Sequence, residues 1–337
     1  MAIHRSLEIR LKESFMKALV LANPKEPLTH QDEPEPIPAK GEVLVSLKAA
    51  ALNRRDFWIT QGMYPGVKTP CILGSDGAGT TSDGREVILN PGIDWGSDEA
   101  AQSTDFRILG MPDNGTFAEH VAIQEALVHD KPAHLSWTEA AALPLAGVTA
   151  YRAMFVQGGL ESGQSVLITG VGGGVGSLSL QFAVAAGAQV TVTSSSETKL
   201  AKAKELGASF GVNYGEEGWA KAIQDHVGSI DLVIDSAGGG SYNHLLKLLK
   251  PGGRIVNFGA TAGPPAELDM FSLFWKQLQI VGSTMGSPRD FSAMLDFVNQ
   301  HQITPGIDRV RPLSEGGEAV QSMAKMEQFG QQVLEIA

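Results

Sequence analysis

The stretch Val166-Leu167-Ile168-Thr169-Gly170-Val171-Gly172-Gly173-Gly174-Val175-Gly176 limits what this chain can fold into more than any other. A β-branched apolar run stops at a glycine cluster, and a helix-forming segment follows from Ser177 to Ala186. That order reads as strand, tight turn and helix. Glycine lets the backbone turn sharply and approach a ligand closely, and a helix N-terminus offers free N–H groups to an anion. The expected anion is the pyrophosphate of a dinucleotide. The strict G-x-G-x-x-G fingerprint is missed, but Gly170, Gly173 and Gly176 recur every third residue, with Gly174 and Val175 completing the turn. No Lys-Ser or Lys-Thr follows, which excludes a P-loop. A glycine-rich loop without a ligand is the alternative, and the flanks argue against it.

From Ser165 onward the pattern alternates. Strands are expected at 166–170, 189–193, 210–214, 231–235, 254–258 and 279–283, with helical patterns such as Lys199 to Leu206 between them. Six buried strands alternating with helices imply a parallel, doubly wound α/β sheet. Before it, short strands punctuated by glycine (Met16 to Ala22, Glu42 to Ala51, Ala78 to Thr81, Glu86 to Leu89, Phe117 to Ile123) suggest a compact β-barrel-like unit. A proline-rich stretch from Pro24 to Pro38 reads as an exposed extended connection, and Gly92 to Gly110 as a solvated polar loop. The tail, with a helix at 290–300 and a closing strand at 333–336, returns to the first unit. The expected division is 1–15 as an N-terminal extension, 16–138 with 287–337 as one domain, and 139–286 as the nucleotide domain.

Composition narrows the partners. A net charge of −11 disfavours nucleic acid and anionic membrane surfaces. No apolar run reaches the ~18 residues of a membrane span. A single cysteine, Cys71, fits a cytoplasmic protein and excludes a four-cysteine zinc site. It reads as a small core residue.

The second strand of the sheet decides the cofactor. A carboxylate at its end would hold the ribose of NAD; here Ser194, Ser195 and Ser196 stand there, Glu197 comes too late, and Lys199 follows. Hydroxyls and an ammonium suit a 2′-phosphate, so NADPH is expected. The competing reading makes the serines a helix cap and Lys199 a solvated lysine. Tyr214, after the third strand, could meet the adenine or belong to the core. Ser236 and Ala237, and Phe258, Gly259 and Ala260, end the fourth and fifth strands where a flat nicotinamide ring would fit.

Several spaced motifs together resemble the medium-chain dehydrogenase/reductases, most closely their zinc-free quinone oxidoreductase and enoyl reductase branch. They are Leu52-Asn53-Arg54-Arg55-Asp56, Gly62-Met63-Tyr64-Pro65, Leu73-Gly74-Ser75-Asp76-Gly77, Phe117-Ala118-Glu119-His120, Ala150-Tyr151, the glycine turn and Leu249-Lys250-Pro251-Gly252-Gly253. The resemblance spans Met16 to Ala337. It implies a GroES-like barrel as catalytic domain, a Rossmann domain, and a cleft between them. Where the family's zinc enzymes carry a cysteine and then Gly-His-Glu, this chain reads Asn53 and Gly74-Ser75-Asp76; the third ligand position falls near Leu145 or Ala146. No metal site and no zinc are therefore expected, and a zinc-type label would follow the fold rather than the ligands.

Without a metal, hydride addition to a quinone or enone is the favoured chemistry, its developing charge met by hydrogen-bond donors. Tyr64, eleven residues after Asn53, matches the spacing of the catalytic tyrosine in enoyl-thioester reductases and is the candidate proton donor; a turn aromatic lining the cleft is the alternative. Asn53 is the candidate for orienting substrate or ribose, or else a satisfied buried amide. By resemblance Thr149 faces the nicotinamide. Trp58 is a candidate pocket wall, and Met285 and Phe271 could line the pocket too, although both also fit helix or strand packing. The expectation is an NADPH-dependent reductase of a small-molecule quinone or enone. The alternatives are an enoyl-thioester reductase and a catalytically idle NADPH-binding sensor. A homodimer joined through the strand at 279–283 is implied by the same resemblance.

Overall fold

The structure, a computed structural model, describes residues 14–337. Residues 1–13 of the expected extension lie outside the described residues, and the first strand opens at Phe15, one residue before its expected start.

The chain begins with β1 (Phe15–Leu21), β2 (Thr29–Pro34) and β3 (Glu42–Ala51), then α1 (Arg54–Thr60). Short strands follow: β4 (Cys71–Ile72), β5 (Asp76–Thr81), β6 (Glu86–Leu89), the pair β7 (Gly92–Ile93) and β8 (Arg107–Ile108), β9 (His120–Gln124) and β10 (Val128–Asp130). Helices α2 (Trp137–Ala141) and α3 (Pro144–Tyr151) lead out of this β unit. The proline-rich connection is thus partly a strand: β2 pairs antiparallel with β1 from Thr29 to Pro34. Proline is tolerated there because β2 is an edge strand.

The nucleotide half runs β11 (Ser165–Ile168), α4 (Gly174–Ala185), β12 (Gln189–Ser194), α5 (Glu197–Glu205), β13 (Phe210–Asn213), α6 (Trp219–Val227), β14 (Ile230–Asp235), α7 (Tyr242–Leu248), β15 (Leu249–Asn257), α8 (Met270–Trp275) and β16 (Gln279–Gly282). Among the described residues these strands form one six-stranded parallel sheet in the order β13-β12-β11-β14-β15-β16. That is the doubly wound arrangement expected, with its order reversing between β11 and β14. Val166, Leu167 and Ile168 are wholly buried, and each contributes ~1.5–3 kcal/mol of burial.

The chain then returns through α9 (Pro288–His301), β17 (Ile307–Pro312), α10 (Gly316–Ser322) and β18 (Gln331–Glu335). β18 pairs with β3, Val333 opposite Ala51. This return reaches the glycine turn, where Gly330 at the head of β18 donates its N–H to Gly172 O, 3.1 Å away.

The 92–110 stretch is exposed at Asp94, from Gly96 to Gln102 and at Asp105, as expected of a solvated loop, but it is anchored at Trp95. Trp95 is 3% exposed and packs in the core against Phe106. The Arg152 guanidinium covers Trp95 at 5.0 Å and donates to the carbonyls of Glu99 and Ala100 while pairing with Asp290. A buried ion pair that also satisfies backbone carbonyls ties this excursion to the residue that ends α3 and to α9. Its acidic residues disguised the anchoring tryptophan. Among the described residues no helix is long and apolar enough to cross a membrane.

Candidate functional site

The glycine turn lies at the carboxyl end of β11. Gly170 has φ +64°, a conformation L side chains rarely adopt. A Cβ on Gly176 would stand 2.8 Å from Gly170 O and 3.1 Å from Val171 Cα. Helix α4 starts at Gly174, three residues earlier than expected, so Val175 and Gly176 form its first turn. Gly173 is its N-cap, with open space where a Cβ would point. The first N–H groups of this twelve-residue helix have no intrahelical acceptor and fit a pyrophosphate, with the Gln331 side chain lying over Gly174.

Side chains from the neighbouring strands close on the turn. Ser194 is buried at the end of β12, and its hydroxyl accepts the Ser196 N–H. Ser196 caps α5, so part of the helix-cap reading holds, while Ser195 is exposed. Lys199 is not a solvated lysine. Its chain crosses Gly172, where a Cβ would meet Lys199 Cδ at 2.7 Å, and its Nζ donates to Met326 O. Burial lowers the Lys199 pKa, with Asp308 and Glu327 opposing that shift. Glu197 accepts from Asn213 Nδ2 at 3.1 Å. Tyr214 is 48% exposed beside Ser194, to whose carbonyl it donates its N–H, which removes it from the core.

On the other flank Ser236 and Ala237 leave β14, and Phe258, Gly259 and Ala260 leave β15. Their loops are laced together by Thr261 N–H to Ser236 O and Ala262 N–H to Ala237 O. The buried Asp235 carboxylate accepts from Thr169 Oγ1, Gly238 N and Asn257 Nδ2, pinning three strand ends at once. Thr149 is buried on α3 and donates to Leu145 O at 2.7 Å; its hydroxyl lies 3.9 Å from Met285 Sδ. Met285 is held at φ +43°. Phe271 does not join them: it is 62% exposed on α8, stacked on Trp275.

The barrel contributes a cluster of polar side chains around α1. Asn53 Nδ2 donates to Asp76 Oδ2 at 2.8 Å, and Asp76 Oδ1 accepts the Leu145 N–H at 2.8 Å. Asn53, Asp76 and the 145 position thus converge from three distant stretches. Asp56 caps the start of α1 by accepting the Asn53 N–H at 2.7 Å. Burial pushes the Asp76 carboxyl up to about 7 and the Asp56 carboxyl up to about 6. Arg55 donates to Ser75 Oγ at 2.7 Å and to Leu109 O at 2.9 Å, and covers the Tyr64 ring at 5.1 Å. Trp58 is half-buried against Phe57. Cys71 is buried, which pushes its thiol up to about 11 and makes it inert.

Fold relatives of this architecture include zinc enzymes, so the donor set matters. At the three positions stand an amide, a hydroxyl and a backbone N–H. The carboxylate beside them has both oxygens engaged, and a guanidinium touches the hydroxyl. These residues do not fit a tetrahedral zinc. Among the described residues no group of three or more His, Cys, Asp or Glu is placed to hold a metal. The two arginines after Asn53 are what sequence reasoning passed over. Arg54 donates to Met323 O at 2.6 Å and lies close enough to Lys199 to oppose its charge. Two adjacent arginines inside an otherwise buried motif were the available signal.

Comparison with known proteins agrees with the fold. Residues 39–133 match the alcohol dehydrogenase GroES-like domain, and residues 174–300 match the zinc-binding dehydrogenase family. The chain belongs to the medium-chain dehydrogenase/reductase superfamily, a family of oxidoreductases. A zinc-type alcohol dehydrogenase-like protein of Leptosphaeria maculans is 36% identical over 90% of this chain and 92% of its own length. An acryloyl-coenzyme A reductase of Sulfurisphaera tokodaii is 31% identical over 92% of this chain and 98% of its own. A crystal structure of an NAD-dependent alcohol dehydrogenase superposes with a TM-score of 0.90 at 35% identity, covering 96% of this chain and all of that one.

Proposed function

We propose that the protein is a zinc-independent, NADPH-dependent reductase acting on a quinone or an α,β-unsaturated carbonyl. The observation that carries this reading is the spent donor set at Asn53, Ser75 and Asp76, in a chain whose glycine turn opens a helix with free space at Gly173. When bound, the reduced nicotinamide supplies a hydride. The chain's own residues bind, orient and protonate. Free N–H groups of Gly174, Val175 and Gly176 meet the pyrophosphate. Ser194, Ser195 and Lys199 meet the 2′-phosphate, Lys199 exchanging the Met326 carbonyl for it, and Tyr214 stacks beside them. Asn53, held by Asp76, orients the acceptor, Trp58 and Met285 wall it, and Tyr64 gives a proton.

Conjugate reduction suits a site without a Lewis acid, because the charge spreads into an enolate or hydroquinone that hydrogen bonds can stabilise. The acryloyl-coenzyme A reductase relative acts, by its name, on an α,β-unsaturated thioester. It therefore favours a second reading, an enoyl-thioester reductase. The net charge of −11 argues against a nucleotide-bearing carrier as substrate. The protein is further proposed to be a homodimer through the unpaired edge of β16, beside the exposed Phe271, Phe274 and Trp275 of α8.

Fluorescence titration with NADPH and NADH, followed by a quinone, enone and enoyl-thioester panel, tests the assignment. NADPH binding about ten-fold tighter or more, with turnover of a quinone or enone and no stoichiometric metal, is the expected result. NADH preference would overturn the phosphate reading, and one zinc per chain would overturn the metal-free one.

A further inference from the structure

Arg55 is the one strongly buried guanidinium of the barrel cluster, and its surroundings are unusual for a charge. It is 8% exposed. Its contacts are the Ser75 hydroxyl at 2.7 Å, the Leu109 carbonyl at 2.9 Å, the Met111 carbonyl at 3.4 Å and the face of Tyr64. None of these is an anion, and its Nε is buried without a hydrogen-bond partner. Asp76 is spent on Asn53 and Leu145. The nearest carboxylate is Asp56, next along α1: one of its oxygens accepts the Asn53 N–H, the other has no hydrogen-bond partner, and it attracts Arg55 through charge alone, without a hydrogen bond. A buried guanidinium whose hydrogen bonds all go to neutral groups is costly to bury, and the part of its charge that Asp56 does not offset stays available to the Tyr64 ring. The Ser75 hydroxyl it holds stands where the family's zinc enzymes place a histidine.

We propose that Arg55 stands in for the absent metal charge, acting through Tyr64 as a positioning residue. The guanidinium fixes the phenol from one face and stabilises the phenolate left when Tyr64 gives up its proton. In that step the Oη–H bond breaks and the proton passes to the α-carbon of the reduced acceptor. The two electrons come from the reduced nicotinamide, and solvent returns a proton to the phenolate. The cation–π contact supplies attraction that grows as the ring becomes anionic, which is differential stabilisation of the kind that speeds a step. This inference rests on the reductase reading given above.

The test uses the full-length protein with NADPH and an enone acceptor. Arg55→Met, Arg55→Lys, Tyr64→Phe and Arg55→Met/Tyr64→Phe are compared for kcat, KM, NADPH affinity and thermal midpoint. Arg55→Met is expected to lower kcat about thirty-fold or more, with NADPH affinity unchanged. Arg55→Lys, which keeps the charge and guards against a folding failure, recovers part of that loss. In the Tyr64→Phe background the same Arg55→Met change costs little further kcat, because the group it acts through is gone. An Arg55→Met enzyme with near-normal kcat, or a loss undiminished in the Tyr64→Phe background, overturns the proposal alone. Wild-type protein that binds NADPH but consumes no acceptor overturns the reductase reading and this inference with it.

Discussion

Around Gly170 to Gly176 the atoms offered to a ligand belong to the backbone, while around Asn53 they belong to side chains held by partners far along the chain. Asn53 and Asp76 are separated by 23 positions, Arg55 and Ser75 by 20, and Asp76 and Leu145 by 69. The first region needs little beyond local geometry: a buried strand, glycines that permit the turn, and a helix that begins in the right place. The second needs the whole barrel, because each polar group is buried and must be satisfied by an element arriving from elsewhere. A cofactor common to many enzymes can be met by backbone alone. Substrate chemistry is set by side chains, and their assembly is a tertiary event.

The largest expected effect probes the side-chain region through its buried carboxyl. Asp76 titrates near 3.9 in an unfolded chain, and burial raises it to about 7 in the folded protein. Between those values the folded state holds a proton that the unfolded state has released. Its stabilising contribution is therefore complete below pH ~4 and lost as pH rises through about 7, a change on the order of 4 kcal/mol. Asp76→Asn removes that dependence but, with one acceptor oxygen, satisfies only one of Asn53 and Leu145. Denaturant unfolding should then find the variant weaker than wild type near pH 4.5 and level with it or stronger near pH 8. Parallel stability curves for the two proteins would show that Asp76 is ionised throughout.

The backbone region is sharpened by two glycines that differ in what surrounds them. At Gly176 a Cβ meets fixed backbone at 2.8 Å, so Gly176→Ala must move the turn. It should cost roughly 2–3 kcal/mol of stability and raise the dinucleotide Kd about hundred-fold. At Gly173 nothing lies within 4 Å. Gly173→Ala should leave the thermal midpoint nearly unchanged and still weaken binding, because its methyl group points into the ligand's space. Equal NADPH affinity in wild type and Gly173→Ala would place the pyrophosphate away from the N-terminus of α4.

The contrast also explains what was legible in the sequence. Strand–helix alternation marks α/β sheets because each buried strand is a short apolar run with glycine or serine at its end, and the order and direction of the six strands follow from it. The barrel's polar cluster left only residue types: an asparagine, two arginines and two aspartates that periodicity cannot pair. The anchor of loop 92–110 was hidden for a related reason. Its acidic composition describes the outward side chains, whereas its position depends on Trp95 beneath the guanidinium of Arg152, just after α3. Lys199 was legible as a cation but not as one already bridged to Met326, a residue 127 positions away.

The smallest effect separates two adjacent serines that the sequence alone treats alike. Ser196 Oγ accepts the Lys199 N–H at 3.4 Å and caps α5, whereas Ser195 is exposed beside it. Ser196→Ala should cost about 1 kcal/mol, a drop of roughly 2 °C in thermal midpoint for a chain of this size. It should keep the ratio of NADPH to NADH affinity. Ser195→Ala should do the reverse, leaving the midpoint alone and lowering that ratio several-fold through one lost hydrogen bond to the 2′-phosphate. Because Lys199 begins its reach from the turn that Ser196 caps, a ratio that falls in Ser196→Ala but not in Ser195→Ala would make the cap part of phosphate recognition. The serine run would then act by aiming Lys199 and not by contact.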